Sequence, residues 1–215
     1  MKRLIVGISG ASGAIYGIRL LKVLRDLASV ETHLVLTLAA RRTIQIETDF
    51  TPEKVEAMAD HVHRLADIAA PISSGSSRPT AMIVAPCSMK TVSGIATSYS
   101  DNLLLRAADV ILKERRRLVL LVRETPLHLG HLRLLAQVTE MGAVVMPPVP
   151  AFYYRPTTLE DIIDQTVNRA LDLLDVELDN DLFPRWDGPP NPTSSKEYKQ
   201  NAAIAARPRG RLIPT

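Results

Sequence analysis

The segment at residues 82–91 combines an apolar run with small polar side chains that are suited to binding an anion. Pro86 cannot continue a hydrogen-bonded ladder, so we expect a strand to end there. Ser88 and Thr91 offer hydroxyl groups, and the helix expected next begins with unpaired N–H groups and the positive end of its dipole. The pattern therefore predicts a phosphate-binding site at the carboxyl end of a strand.

A glycine-rich turn, residues 10–13, follows the first apolar run and precedes a helical pattern from Ile15 to about Leu27. The glycine spacing is neither the G-x-G-x-x-G fingerprint of dinucleotide-binding folds nor the G-K-[ST] ending of a P-loop. These residues alone are compatible with a structural tight turn and with a ligand-binding loop. Together with residues 88–91, they favour a ligand-binding crevice.

Several charged residues occupy positions that a solvated helix face does not explain well. Arg123 and Glu124 directly follow a fully apolar strand, which places both charges at the carboxyl edge of a sheet and favours a functional role. Arg106 and Lys113 are two turns apart on one predicted helix, so they form either a solvated face or a pair of phosphate ligands. Glu47 is either a helix-end carboxylate or a general acid/base, and its spacing does not choose between the two.

The five histidines show no recognisable metal-binding spacing. His61 and His63 are two residues apart, and on a helix this spacing would point them away from each other. His33, His128 and His131 form no pair of ligands at i and i+4 with a carboxylate between them. The sequence therefore predicts no metal site.

The composition is that of an ordinary globular domain, with 215 residues, 46% hydrophobic and 23% charged. No apolar run approaches the ~20 residues that span a bilayer, so we expect a cytoplasmic protein without membrane contact. The net charge is +3, and the basic clusters contain no interleaved aromatic residues, which argues against a nucleic-acid partner. The single cysteine, Cys87, excludes an internal disulfide, and we interpret it as a buried packing residue rather than a nucleophile.

Short apolar segments alternate with helical patterns, which is typical of a parallel α/β sheet. Strands that are apolar on both faces predict helices on both sides, in a doubly wound, Rossmann-like three-layer αβα fold. Ligands bind such sheets at the carboxyl ends of strands, so we expect residues 9–13, 86–91 and 123–126 to converge on one crevice. The predicted strands are 3–9, 33–38, 81–85, 117–122 and 143–146, and the predicted helices lie near 14–28, 39–46, 53–60, 88–98, 102–115, 127–140 and 158–175.

Two further segments differ in composition from the rest of the chain. Residues 147–156 form a proline-fixed loop with two tyrosines, which either face a ligand or cap the core. Residues 187–215 contain five prolines and carry five basic against two acidic residues, a composition that cannot build a core by itself. We therefore predict one domain at residues 1–186 and a proline-rich basic tail at 187–215.

Taken together, seven segments resemble the UbiX-like flavin prenyltransferases, including the subgroup described as B subunits of hydroxyarylic or phenolic acid decarboxylases. The resemblance extends from residue 3 to about 186 and rests on residues 10–13, 86–91, 101–103, 106–110, 113–114, 123–127 and 147–153. It implies a flavodoxin-like fold assembled into a homododecamer. It also implies transfer of a dimethylallyl group from dimethylallyl monophosphate to N5 and C6 of reduced FMN, giving the prenylated FMN cofactor of a partner UbiD-like decarboxylase.

The resemblance also implies roles for individual residues. Ser12, Glu47, Glu124 and Lys113 would be catalytic, with Ser12 and Glu124 relaying protons and Glu47 at the family's acid/base position. No metal is required, because cationic and hydroxyl donors stabilise the departing phosphate. FMN would be held by Gly10, Ala11, Ser12, Thr37, Ser88, Met89, Lys90, Thr91 and Arg123, and the prenyl phosphate by Arg106, Lys113, Arg123, Tyr153 and Arg169, with Trp186 near the prenyl pocket.

Three other functions compete with this interpretation. An FMN-binding accessory subunit of a decarboxylase would use the same flavin site without turnover of its own. An FMN-dependent cysteine decarboxylase of the same fold would have asparagine where this chain has Lys90. An NAD oxidoreductase would need the G-x-G-x-x-G fingerprint, which is missing here.

Overall fold

The computed structural model describes residues 1–188, which form a six-stranded, all-parallel sheet between two layers of helices. The strands are β1 Lys2–Ile8, β2 Val30–Leu36, β3 His61–His63, β4 Ala81–Cys87, β5 Arg117–Val122 and β6 Ala143–Val145. The helices are α1 Ala14–Arg25, α2 Leu38–Glu47, α3 Pro52–Glu56, α4 Met89–Ala96, α5 Leu103–Lys113, α6 Leu129–Glu140 and α7 Leu159–Leu173. Short 3-10 turns lie at Pro71–Ser73 and Gly75–Ser77.

The strand order, β3-β2-β1-β4-β5-β6, reverses direction between β1 and β4. From β1 the chain winds outward to β3, and from β4 it winds outward to β6 on the other side. This flavodoxin-like arrangement confirms the predicted doubly wound αβα fold. Such a reversal leaves a crevice outside the carboxyl ends of the two central strands, where ligands of these folds bind.

Alternation along the central strands divides the core into two layers. Leu4, Val6 and Ile8 of β1 face α1, α2 and α7, while Ile5 between them faces α4 and α5. Each large side chain buried in this way contributes about 1.5–3 kcal/mol relative to an exposed one. Because both faces are covered, the central strands form a rigid platform whose carboxyl ends hold the loops described below.

Two expectations about the strands are wrong. β4 does not end at Pro86 but continues to Cys87, and the register against β5 shifts between Val84 and Cys87, around the residue that has no N–H to donate. No strand was expected at His61–His63, because β3 is short, polar and half exposed at the edge of the sheet. Pairing with β2, rather than an apolar pattern of its own, holds it in an extended conformation.

The first compact unit covers Met1–Pro184, and a second unit begins at Arg185. The predicted tail lies almost entirely outside the described residues, so the division at residue 186 stays a prediction. Within residues 1–188, none of the helices has the length and apolar character needed to span a membrane.

Candidate active site at the carboxyl edge of the sheet

The carboxyl ends of β1, β4 and β5 are joined by hydrogen bonds. The Ser9 hydroxyl, in a residue that is 1% exposed, donates to the Pro86 carbonyl oxygen at 3.0 Å and accepts from the Ser88 amide at 2.7 Å. The Arg123 amide donates to the Cys87 carbonyl oxygen at 3.0 Å. The predicted convergence of the three strand ends is therefore confirmed, and Ser9 is the residue that fixes two of them together.

An open cavity of about 520 Å³ lies beside these strand ends. Two helices begin at its wall: Thr37 caps α2 by accepting from the Ala40 amide at 3.0 Å, and Ser88 caps α4 by accepting from the Thr91 amide at 3.4 Å. The remaining amides of each first turn and the helix dipoles favour an anion at this wall. The cavity is lined by five of the predicted FMN residues, namely Gly10, Thr37, Ser88, Lys90 and Thr91.

A second group of predicted residues meets at the start of α1. One carboxylate oxygen of Glu47 accepts from the amides of Gly13 and Ala14, at 2.8 and 3.1 Å. The Ser12 hydroxyl donates to the same carboxylate, and the Arg123 guanidinium acts on it through its charge. Gly13 has φ of 101°, a left-handed conformation that favours glycine and turns the two amides toward Glu47. Ser12, Glu47 and Arg123 therefore form one cluster.

The electrostatics of this cluster favour ionised Glu47. Partial burial acts to raise the pKa of Glu47, but hydrogen bonds from Ser12 and two backbone amides, together with the positive charge of Arg123, hold that pKa below its ordinary value. Burial raises the pKa of Tyr16 above its usual range, although Arg123 and a hydrogen bond with Thr166 oppose the shift. At neutral pH Glu47 is thus a carboxylate and Tyr16 a neutral phenol.

The chain matches the Flavoprotein family over residues 1–171. It is 65% identical over 188 residues to the flavin prenyltransferase UbiX of Escherichia coli strain K12, covering 87% of this chain and 100% of that protein. The chain belongs to the UbiX flavin prenyltransferase family. The resemblance inferred from the sequence is therefore confirmed.

Two solved structures of this family superpose closely on the chain. The crystal structure of AnUbiX (PadA1) in complex with FMN and dimethylallyl pyrophosphate has a TM-score of 0.84 and 55% identity, and the match covers 87% of this chain and 98% of that one. A dodecameric FMN-dependent UbiX-like decarboxylase from Escherichia coli O157:H7 also has a TM-score of 0.84, with 49% identity over 86% of this chain and all of that one. The UbiX fold thus covers the whole first unit of the chain.

Two residues that the family resemblance assigned to the prenyl phosphate lie on α5. Lys113 is the last residue of that helix, and its ammonium group pairs with Glu114 at 2.6 Å, just before β5 begins. Arg123 follows the other end of β5, and a strand of this length spans roughly 17–20 Å. Arg106 lies one turn into α5, where its guanidinium donates to the Ser73 carbonyl oxygen at 3.2 Å. Within one chain, Lys113 therefore lies at the amino ends of the strands and Arg123 lies at their carboxyl ends.

The remaining predicted residues are exposed and spread along the carboxyl-terminal part of the chain. Glu124 lies next to Arg123, and its carboxylate accepts from the following amide at 3.1 Å. Tyr153 is 45% exposed in the loop after β6. Arg169 lies on α7 and pairs with Asp172 at 2.6 Å. Trp186, 59% exposed, belongs to the second unit, so its assignment to the prenyl pocket stays a prediction.

Two predicted FMN residues are buried and can contribute only through the backbone. The side chain of Met89 packs in the hydrophobic core, and Ala11 is buried in the glycine-rich turn. The sequence interpretation gave no role to Asp101 and Asn102, which line the same cavity. The Asn102 side chain caps α5 by accepting from the Leu105 amide at 3.1 Å. An Asp-Asn pair just before a helical pattern is the signal that identifies them.

Proposed function

We propose that this chain transfers the dimethylallyl group of dimethylallyl monophosphate to reduced FMN and so makes prenylated FMN. The proposal rests on one observation. A hydroxyl-lined cavity and the cluster of Ser12, Glu47 and Arg123 both lie at the carboxyl ends of the strands. The first element suits a flavin phosphate, and the second suits a reaction that releases a second phosphate. The names of the UbiX relatives support the same activity.

The residues around the cavity fit FMN. Gly10 lets the glycine-rich turn lie close against α2 at the cavity wall, because a Cβ at that position would lie 2.2 Å from the Cβ of Ala39. The hydroxyls of Ser88 and Thr91 lie 3.2 Å apart at the start of α4, where the helix dipole favours the phosphate of the flavin. The ammonium group of Lys90, on the exposed side of this wall, adds a positive charge. Bound in reduced form, FMN would supply the nucleophilic N5 and C6 atoms of its ring.

Arg123 is the group in this cluster that can bind the departing phosphate. Cleavage of an allylic C–O bond places negative charge on the phosphate oxygens, and a guanidinium stabilises that charge through paired N–H donors. Glu47 is already ionised, so it does not donate a proton at neutral pH. Its carboxylate instead orients Ser12 by accepting from that hydroxyl, and this contact sets where the hydroxyl proton lies.

We further propose that Arg106 and Lys113 act in the site of a second copy of the chain. The separation of Lys113 from Arg123 within one chain requires this for Lys113 if both residues bind the same phosphate, and Arg106 lies on the same helix as Lys113. The dodecameric state of a relative that is 49% identical supports it. Exposed apolar side chains at the carboxyl edge, namely Leu38, Ile46, Leu129 and Phe152, give such a contact the surface to bury.

The expected recipient of the product is a UbiD-like decarboxylase, because prenylated FMN serves a reaction other than the one that makes it. A cytoplasmic location is part of the same proposal, since the relatives are UbiX enzymes and no described helix has the character of a membrane span. The chain would then supply a diffusible cofactor to a separate enzyme in the same compartment.

The activity is tested by anaerobic incubation of the purified full chain with reduced FMN and dimethylallyl monophosphate. Mass spectrometry of the released flavin should show a product heavier by one prenyl unit. The Arg123→Ala variant should bind FMN but release little of this product, whereas Arg25→Ala, which removes an exposed arginine at the far end of α1, should match the wild type. Bound FMN that stays unmodified with both monophosphate and diphosphate would favour an accessory FMN-binding subunit instead.

The shared site is tested by mixing two inactive variants. Glu47→Gln and Lys113→Ala each disable every site in a pure assembly. If a site takes Glu47 from one chain and Lys113 from another, random co-assembly at equal amounts restores about a quarter of the sites. Mixtures that stay as inactive as the parents, with a dodecamer confirmed by light scattering, would place both residues in the same chain's site.

A further inference from the structure

The three histidines that the sequence interpretation treated separately form one cluster on the edge of the sheet. β3 pairs with β2 so that His61 lies opposite His33, and His63 lies two residues further along the same face. The His33 ring stacks on both, with ring centroids 4.7 Å from His61 and 5.2 Å from His63. The i, i+2 spacing that separates side chains on a helix brings them together on a strand.

Glu31 completes the cluster from the same face of β2. Its Oε1 atom lies 3.1 Å from Nε2 of His33 and 3.1 Å from Nε2 of His61. The three atoms all lie within 4.8 Å of one another. For a zinc ion with ligands at about 2.0–2.1 Å, two tetrahedral ligand atoms are ~3.4 Å apart, so a small movement of these side chains encloses an ion.

The surrounding groups orient these ligands. Nδ1 of His33 lies 2.9 Å from Nε2 of His63, and a proton donated along this contact leaves the His33 Nε2 lone pair directed at the shared position. Nε of Arg3 lies 3.4 Å from the other carboxylate oxygen of Glu31, which leaves Oε1 for the two imidazoles. The cluster therefore has the second layer of contacts that distinguishes a metal site from a chance group of polar side chains.

The exposure of the three residues permits an ion to enter. The side chains of His33 and Glu31 are 10% and 15% exposed, whereas that of His61 is 53% exposed. His61 can therefore rotate toward an arriving ion, and the solvent side leaves a fourth position for water.

We propose that Glu31, His33 and His61 bind one zinc-type divalent transition-metal ion, with His63 as the residue that orients His33. Two imidazoles and one carboxylate are a ligand set that suits Zn²⁺. The site joins the three-residue edge strand β3 to β2, so the bound ion stabilises an edge that is otherwise held by few contacts. His33 is four residues, or about 13 Å, before Thr37 along the strand direction, so this is a structural site rather than part of the flavin cavity.

The test uses the full chain, expressed without a histidine tag and stripped of metal with a chelator. Isothermal titration with zinc chloride should give one ion per chain, and cobalt chloride should give the intense visible absorption of a tetrahedral site. His61→Ala should lower zinc affinity by at least ~100-fold, and His63→Ala by roughly 10–100-fold, as expected for loss of an orienting contact. His131→Ala removes a histidine from α6 and should leave zinc affinity unchanged.

A stability measurement shows whether a variant fails to bind zinc because it has lost a ligand or because it has not folded. Zinc should raise the melting temperature of the wild type and of His131→Ala but not that of His61→Ala, whose exposed side chain can be removed without opening the core. Zinc binding of equal strength in the wild type and His61→Ala, or no binding by the wild type, would overturn the proposal. In the latter case the cluster is a hydrogen-bonded network of protonated and neutral groups only.

Discussion

Ser9 offers a direct test of how the strand ends are held at the candidate site. Replacing it with alanine removes a hydroxyl that donates to the Pro86 carbonyl oxygen and accepts from the Ser88 amide. The Ser9 amide still donates to the Pro86 carbonyl oxygen at 3.1 Å, so the carbonyl keeps one partner. The Ser88 amide, in a partly buried position, loses the partner that the hydroxyl supplied.

The expected cost follows from that single unsatisfied donor. A buried N–H without a partner costs about 1–3 kcal/mol, and in a chain of this size each kcal/mol lowers the melting temperature by roughly 2–4 °C. Ser9→Ala should therefore melt roughly 2–12 °C below the wild type. It should also retain FMN less well, because Ser88 begins the helix at the cavity wall.

The assay compares thermal unfolding at equal protein concentration, with and without FMN, and uses Ser29→Ala as the control. Ser29 is exposed at the other end of the sheet, next to the start of β2, so its replacement should leave both the melting temperature and FMN retention unchanged. If Ser9→Ala behaves like Ser29→Ala, the hydroxyl does not fix the strand ends and the Ser88 amide has another partner.

Three further predictions concern the same edge of the sheet. Glu47→Gln should retain FMN but lose at least ~10-fold in turnover. Because the pKa of Glu47 is lower in the folded chain than in the unfolded chain, the wild type should be more stable than the variant near neutral pH, and urea titrations should show this advantage shrinking as the pH falls below the ordinary value of about 4.5. Gly10→Ala should reduce FMN affinity in fluorescence titrations through its clash with Ala39, and adding Ala39→Gly should restore it; no recovery would mean that the Cβ disturbs something else. Burial raises the pKa of the Cys87 thiol, so iodoacetamide should label it only after unfolding, and rapid labelling of the native chain at pH 8 would contradict its buried position.

The sequence was sufficient to predict most of the fold, because the signals involved are local. Apolar runs such as residues 117–122 and the alternating helical patterns identify the central strands and helices directly. The cluster of Ser12, Glu47 and Arg123 could be predicted only by family resemblance, since the three residues lie before α1, at the end of α2 and after β5, far apart in the sequence. No spacing rule relates residue 47 to residue 13, and yet the Gly13 amide is one of the groups that lower the pKa of Glu47.

What the sequence failed to predict depends on contacts between strands. β3 has no apolar pattern of its own, and it is extended because it pairs with β2. With that strand unrecognised, the i, i+2 spacing of His61 and His63 indicates side chains that point apart on a helix, whereas on a strand they lie on the same face. The same error hid Glu31, whose position opposite the edge strand follows from register rather than from sequence distance.

The two ends of α5 explain why we propose that the phosphate site is shared between chains. α5 runs from the carboxyl ends of the strands back to the start of β5. Its first residues therefore lie at the flavin cavity, and its last residue, Lys113, lies at the amino ends of the strands. Spacing correctly put Arg106 and Lys113 on one helix, but it could not tell which molecule's phosphate they face. If Lys113 serves the reaction, symmetry requires every chain to give this residue to a neighbour and to receive one in return. The active unit is then the assembly, and the co-assembly of Glu47→Gln with Lys113→Ala measures this exchange directly.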